Sequence, residues 1–178
     1  MKKITRFKGG EVVLDLDKLS VMRSSLMAAM STDVGVLGHK AGRVEAGKLT
    51  KAGGHKKSDK ASDLTNADIG LLHEKGSLSQ HIPRRSFLLM PLEQESFDLN
   101  NTRKALWHAF VTGKTTLREA YKQLGIAAEI VIQKAFETGG FGRWRALADS
   151  TKARKHSSAI LIDTAQLRKS IDSRVVSK

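Results

Sequence analysis

Two amphipathic stretches separated by a tight turn dominate the second half of the chain. The first runs from Pro91, which suits a first helical position, to Val111, and Gly113 closes it. The second runs from Thr116, where a capping box begins, to Thr138. The apolar stripe of the first is Leu99, Leu106, Trp107, Phe110 and Val111. Two such helices with a short joint predict an antiparallel helical hairpin.

The rest of the sequence predicts short strands and helices around this hairpin. Residues 11–16 indicate a strand, and a helix should begin at Asp17, continue to Met30 and end at residues 31–33. Val34 and Val36 suggest a further strand that turns into a hairpin. Near the end of the chain, the segment SIDSRVV alternates in polarity and predicts a closing strand.

Two shorter segments carry helix and loop signals. Residues 65–76 predict a helix with Asn66 as its N-cap and Gly76 as its stop. An extended segment should follow, because Pro83 keeps Ile82 out of the helical region. These elements predict one α+β domain over residues 1–178, with a small antiparallel sheet packed against an N-terminal helix and the helical hairpin.

Composition excludes several classes of protein. The chain has no cysteine, which excludes disulfides, thiolate metal sites and cysteine nucleophiles and indicates synthesis in a reducing cytoplasm. No apolar run approaches the roughly 18 residues of a membrane span, so no membrane partner is expected. The basic N-terminus lacks the apolar region of a secretion signal.

The strongest compositional signal is a net charge of +13, which favours a phosphate backbone or an acidic protein as partner. Residues 39–60 form a glycine-rich basic segment with almost no apolar side chain. Such a segment is typical of a flexible hairpin tip, or of an arm that becomes ordered against DNA or a neighbouring subunit. Its cations are Lys40, Arg43, Lys48, Lys51, Lys56, Lys57 and Lys60.

Residues 73–89 contain two histidines and a glutamate, which raises the question of a metal or catalytic site. A zinc site needs three or four converging ligands, and the helical His-Glu-x-x-His signature would require histidine at position 77, which is Ser77. His73 and His81 also lie on opposite sides of the break at Gly76. A structural or solvated role is therefore favoured over a metal site, and no cofactor is expected.

Other catalytic patterns are incomplete. The Gly-Lys-Thr at 113–115 lacks the glycine of a phosphate loop at position 108, which is His108, and a helix precedes it instead of a strand. The glycine-rich segment 138–144 is better explained as a helix stop followed by core anchors. No serine lies in a nucleophile elbow. The sequence thus predicts no enzyme.

Two blocks of the sequence stand out by the order and spacing of their residues. They consist of Asn66, Ile69, His73, Glu74, Gly76, Ile82, Pro83, Arg85, Phe87 and Leu88, then Leu161, Asp163, Thr164, Leu167, Ser170 and Ile171. In this order they resemble the virion morphogenesis, or tail completion, proteins of Mu-like and P2-like phages. In that family an N-x-x-I-x-x-x-H-E-x-G segment leads to an I-P-x-R-x-F-L segment, and an L-x-D-T-G-x-L-x-x-S-I segment precedes a last strand. The resemblance covers roughly residues 60–178. Ala165 stands where the family usually has glycine, and Lys75 where it usually has an aromatic residue.

The resemblance implies a non-catalytic structural protein of the virion neck or tail. Such proteins form a ring, commonly a hexamer, at the head–tail junction or the top of the tail, where they complete the tail and contact neighbouring connector and tail proteins. The positive charge would suit a lumen through which DNA passes with non-specific phosphate contacts. Made in the host cytoplasm, the protein would reside in the virion.

The resemblance also gives roles to the residues of the two blocks. Residues expected to fix the fold or line a subunit interface are His73, Glu74, Ile82, Pro83, Arg84, Arg85, Phe87, Asp163, Thr164 and Leu167. Arg84 and Arg85 are candidate donors of ion pairs between subunits, while Asp163 or Thr164 would cap the helix before the last strand. Residues 39–60 would face the lumen or an adjoining ring. For both the arginines and this segment, the alternative is that their charge serves only the solubility of the surface. The alternative function is a basic nucleic-acid-binding protein without sequence specificity, and a third, a metal enzyme built on the histidines, would require bound metal.

Overall fold

A computed structural model describes residues 2–7, 10–15, 17, 20–21, 23–24, 30–48, 50, 56–155 and 158–177. Its strands are β1 (Lys2–Phe7), β2 (Gly10–Asp15), β3 (Met30–Val36) and β4 (Ile171–Ser177). Its helices are α1 (Asn66–Lys75), α2 (Leu89–Gln94), α3 (Ser96–Val111), α4 (Leu117–Thr138), α5 (Asp149–Lys155) and α6 (Gln166–Lys169), with a 3₁₀ turn at Gly38–Lys40. The α+β class is therefore confirmed. None of the helices in these ranges has the length and apolar character needed to cross a bilayer.

The described strands form two separate antiparallel pairs, β1 with β2 and β3 with β4. In the second pair Val36 lies opposite Ile171 and Met30 opposite Ser177, so the end of the chain returns to its first third. This pair packs on α4, where Gly125 allows the close approach because a Cβ there would lie 2.6 Å from the Ser173 hydroxyl.

The hydrophobic core lies between α4, the start of α2 and the C-terminal segment. Phe87 and Ile132 are completely buried, and Phe136 packs its ring against Phe87 at 5.4 Å and against Trp144 at 5.8 Å. The prediction that segment 138–144 ends a helix and anchors the core is confirmed, since α4 stops at a left-handed Gly139 and Trp144 is buried.

The helical hairpin has the predicted turn and second helix, but its first helix differs. Thr116 caps α4 by accepting a hydrogen bond from the Glu119 amide at 3.2 Å. The first stretch begins at Leu89 and breaks at Glu95, which places Pro91 at the third helical position. Proline is tolerated there because amides in the first turn of a helix have no intrahelical partner.

Part of the predicted apolar stripe of α3 also lies at the surface. Trp107 is 49% exposed and Val111 41% exposed, whereas Phe110 is buried. The helical spacing was correct, but the buried arc is narrower than the pattern indicated.

Three boundary predictions were wrong. Residues 31–33 belong to β3 and do not end a helix, because Met30 already pairs with Ser177. Thr65, not Asn66, is the N-cap of α1, and it forms a reciprocal capping box with Asp68. The N-cap position of α6 is occupied by the left-handed Ala165, and not by Asp163 or Thr164.

The predicted N-terminal helix is described only at some positions. Asp17, Ser20, Val21, Arg23 and Ser24 are helical and exposed. The side chains expected to pack against the sheet, Leu19, Met22, Leu26 and Met27, lie outside the described residues.

Candidate functional site

Glu74 at the end of α1 caps the beginning of α2. Its carboxylate accepts hydrogen bonds from the hydroxyl of Ser86 and from three consecutive backbone amides, those of Phe87 at 2.8 Å, Leu88 at 3.0 Å and Leu89 at 3.2 Å. These amides precede or begin a helix and would otherwise lack partners. The glutamate of the His-Glu pair therefore acts as a structural cap.

Neighbouring groups hold the same segment in place. The carbonyl of Ser86 accepts a hydrogen bond from the buried indole of Trp144 at 3.0 Å, and its hydroxyl accepts one from the Met90 amide at 3.0 Å. The exposed Arg84 donates through Nε to the Glu74 carbonyl at 3.1 Å. Together with the complete burial of Phe87, these bonds support the fold-fixing role predicted for this block.

Arg85 differs from the sequence-based expectation. It is only 7% exposed, and its Nε and Nη2 donate to the carbonyl of Arg145 at 3.1 and 3.0 Å. Burial lowers the pKa of this guanidinium, and the nearby positive charge of Arg145 lowers it further. Arg85 is thus buried and ties two segments of one subunit together through a carbonyl.

A large cleft lies between α1, the loop 77–83 and segments 145–151 and 161–167. Its volume is about 1190 Å³. Besides Arg85, the predicted fold-fixing residues that line it are His73, Ile82, Pro83, Asp163, Thr164 and Leu167. The two sequence blocks that carry the family resemblance therefore meet at one surface, although some 75 residues separate them in the sequence.

The cleft combines positive charge with apolar walls. Arg43, Arg85 and Arg145 contribute guanidinium groups, and Asp163 is the one acidic residue among the described residues that line the cleft. Burial lowers the pKa of Arg43, and Asp163 partly opposes that shift. Ile69, Leu78, Leu147 and Leu161 are among the apolar lining residues, and Leu78 is 96% exposed at the tip of its turn. Such a surface suits a ligand that carries both an anionic group and an apolar group.

His73 and His81 both line this cleft, although the break at Gly76 separates them in the sequence. Among the residues that the structure describes, no three histidine, aspartate or glutamate side chains are grouped so that they could hold a metal ion. The described residues therefore do not provide the three or four converging ligands that a zinc site requires.

The Gly-Lys-Thr segment has the geometry of a helix-to-helix turn. Gly113 adopts a positive φ of 74°, and its amide donates to the Phe110 carbonyl at 2.9 Å. With α3 before it and α4 after it, the segment lacks the strand that a phosphate loop requires.

The base of the basic segment is fixed to the cleft by two amide side chains. Buried Asn66 donates to the Gly42 carbonyl at 2.8 Å and accepts from Arg43 at 3.0 Å. The side chain of Gln166 accepts a hydrogen bond from the Val44 amide at 2.9 Å and donates one to the Val44 carbonyl at 3.0 Å, as the backbone of a neighbouring β-strand would. Sequence reasoning missed Gln166, because a single glutamine carries no positional signal.

The two described sides of residues 39–60 pair with each other in antiparallel orientation. The Glu45 amide donates to the Lys60 carbonyl at 2.8 Å, and the Lys56 amide donates to the Lys48 carbonyl at 2.9 Å. Several of its cations have partners: Lys40 pairs with Asp172 at 3.1 Å, Lys60 with Glu45 at 2.9 Å and Lys57, weakly, with Asp59 at 3.9 Å. Lys48 and Lys56 are exposed, and Lys51 lies outside the described residues.

Comparison with known protein families, with curated proteins and with solved structures finds no match for this chain. The family resemblance therefore depends on the residues of the two blocks. Their meeting at one cleft is a feature of the structure that the sequence order alone does not contain.

Proposed function

We propose that this chain is a structural, non-catalytic subunit of a phage virion that assembles into a ring at the head–tail junction or the top of the tail. The observation that supports the proposal most directly is the cleft, where both blocks of the family resemblance meet around a hydrogen-bonded frame. A cleft framed in this way suits the docking of another protein segment.

Two polar side chains that frame the cleft are occupied by hydrogen bonds within the chain, which supports a structural role. The Glu74 carboxylate accepts from four donors and the Arg85 guanidinium donates to backbone carbonyls. A general base or nucleophile needs a free lone pair within reach of a substrate, which a carboxylate bound to four donors does not offer.

The charge distribution supports a role beside DNA. The net charge is +13, and Lys48 and Lys56 extend into solvent from the basic hairpin. Lysines that contact phosphates without reading bases would allow a genome to slide through a lumen. In this proposal the hairpin faces the DNA passage or an adjoining ring.

The test is the mass of the purified protein in solution and its position in virions. Mass photometry and negative-stain imaging should give a closed ring whose mass is a discrete multiple of the 19.5 kDa subunit. Virions assembled without the protein should show full heads beside unattached tails, or tails of uncontrolled length. A protein that stays monomeric at every concentration and never appears in particles would contradict the proposal.

A basic nucleic-acid-binding protein is the second candidate, and the exposed Lys48 and Lys56 favour it. It predicts a monomer or dimer whose affinity for an arbitrary duplex falls steeply with salt. Replacing both lysines with alanine should lower the salt dependence by roughly one to two counterions. A ring with weak affinity for DNA would exclude this candidate.

A further inference from the structure

The junction of α2 and α3 forms a surface whose chemistry is opposite to that of the cleft. No lysine or arginine occurs between Arg85 and Arg103, the longest such interval in the chain. Glu93 and Asp98 are exposed in this interval, and neither forms an ion pair with a described residue. Between them Phe97 is 75% exposed. We call Glu93, Phe97 and Asp98 the acidic knob.

Among the described side chains Phe97 is the one exposed phenylalanine, and the two carboxylates near it have no described ion-pair partner. The other acid of the junction, Glu95, is half-buried and pairs with Lys134 at 3.6 Å. The knob therefore presents an aromatic ring and negative charge on a protein whose net charge is +13. Aromatic side chains are enriched at protein interfaces and often carry much of the binding energy.

The cleft would be stabilised by a partner with the chemistry of the knob, which combines negative charge with an aromatic ring. Arg85 is 7% exposed, yet its described partners are carbonyls and no described acid forms an ion pair with it. Burying a cation without a counter-charge is costly, and carbonyl dipoles compensate only part of that cost. The like charge of Arg145 beside it adds to the demand for an anion. Ile69 and Leu161 supply apolar walls that an aromatic ring could contact.

We propose that the acidic knob of one copy docks into the cleft of a neighbouring copy, with Phe97 between the apolar walls and Asp98 and Glu93 facing Arg145 and Arg43. The inference rests on the proposed ring function and names the surfaces that would build the ring. Charge complementarity fits the acidic knob of a second copy, and the apolar walls favour that copy over DNA, because a phosphate backbone offers no apolar group to them. The knob and the cleft share no residue, so the contact is head-to-tail and can repeat until the ring closes.

Charge reversal on each side tests the contact. Asp98→Arg and Arg145→Glu should each weaken association about 100-fold, because each places like charges opposite one another. Mass photometry should then show monomers. In an equimolar mixture of the two variants every contact between unlike variants joins opposite charges, either the native pair or the reversed pair, so the two variants should alternate and form assemblies larger than a monomer. The double variant Asp98→Arg/Arg145→Glu restores opposite charges and should form rings again.

Matched controls separate the contact from general effects of charge and folding. Arg143→Glu makes the same change two residues away at an exposed position that does not line the cleft, and it should assemble normally. Phe97→Ser removes the exposed ring without altering charge and should also give monomers. Circular dichroism should show native folding for every variant, since the substituted side chains are exposed.

The outcomes distinguish failure of this inference from failure of the proposed function. If the wild type forms rings and all three single variants at the knob and cleft do so equally well, the contact is wrong and the ring function stands. If both charge reversals give monomers and their mixture also stays monomeric, direct pairing is excluded as well. A wild type that is monomeric at all concentrations would overturn the ring function and this contact with it. A duplex oligonucleotide whose binding is lost in Arg145→Glu, with rings intact, would assign the cleft to DNA instead.

Discussion

Replacing Glu74 with glutamine is expected to lower the free energy of unfolding by about 2–4 kcal/mol. One carboxylate oxygen accepts from Ser86 and Leu89, and the other accepts from the amides of Phe87 and Leu88. In glutamine one of these oxygens becomes an amide nitrogen, a donor that faces two donors. Two hydrogen bonds to a charged acceptor are lost, each contributing roughly 1.5–3 kcal/mol, and the half-buried position allows water to recover part of that.

Chemical denaturation and thermal melts measure the loss, which should appear as a fall in Tm of about 5–15 °C for a chain of this size. Asp63→Asn is the matched control, because it makes the same carboxylate-to-amide change at an exposed residue without described partners that lies outside the acidic knob, and it should stay within about 0.5 kcal/mol of wild type. If Glu74→Gln loses no more stability than Asp63→Asn, the role of Glu74 as the cap of α2 is wrong.

Three further predictions follow from local geometry. Gly140→Ala should lose about 3 kcal/mol or more in denaturant titrations, because φ is +68° and the new Cβ would lie 2.3 Å from the buried Trp144 ring; near-wild-type stability would contradict this. Ala165→Gly should gain about 0.5–1 kcal/mol in thermal melts, since φ is +59° at Ala165, and a lower Tm would exclude strain there. Burial alone would raise the pKa of the Asp172 carboxyl, but hydrogen bonds, led by that from Lys40, outweigh it and hold the pKa below 3.8. Stability from Asp172 is therefore full above that pH and lost as the pH falls below it, so Asp172→Asn should lose less stability than wild type on acidification, and equal acid sensitivity would contradict the assignment.

The parts of the fold that the sequence predicted well depend on neighbouring residues. The start of α4 at Thr116 and its end at Gly139 follow from a cap and a glycine that act within one turn of helix. The end of α1 at Gly76 has the same origin. Interactions between residues three or four apart leave a pattern that can be read in a short window.

The wrong predictions depend on residues that are distant in the sequence. Residues 31–33 read as a helix end, but they pair with residues 174–176 of β4. Pro91 reads as a first helical residue, but the helix begins two residues earlier, where Glu74 from another helix supplies the missing acceptors. In both cases a distant partner satisfies backbone groups that no local pattern could assign.

The same reasoning explains why the sequence revealed only part of the candidate site. A histidine beside a glutamate and a pair of arginines resembles a reactive cluster, yet Glu74 is occupied by backbone amides and Arg85 by carbonyls. Satisfied groups contribute to stability and leave little capacity for a ligand. The fold does not neutralise the positive charge of this cleft. Buried Arg85 has no carboxylate partner among the described residues, and Arg145 lies beside it at the mouth of the cleft. Because a buried cation favours any partner that neutralises it, the binding capacity of this surface follows from the excess of guanidinium over carboxylate groups. Glu74, which looks reactive in the sequence beside its histidine, only holds the neighbouring backbone segments in place around these guanidinium groups.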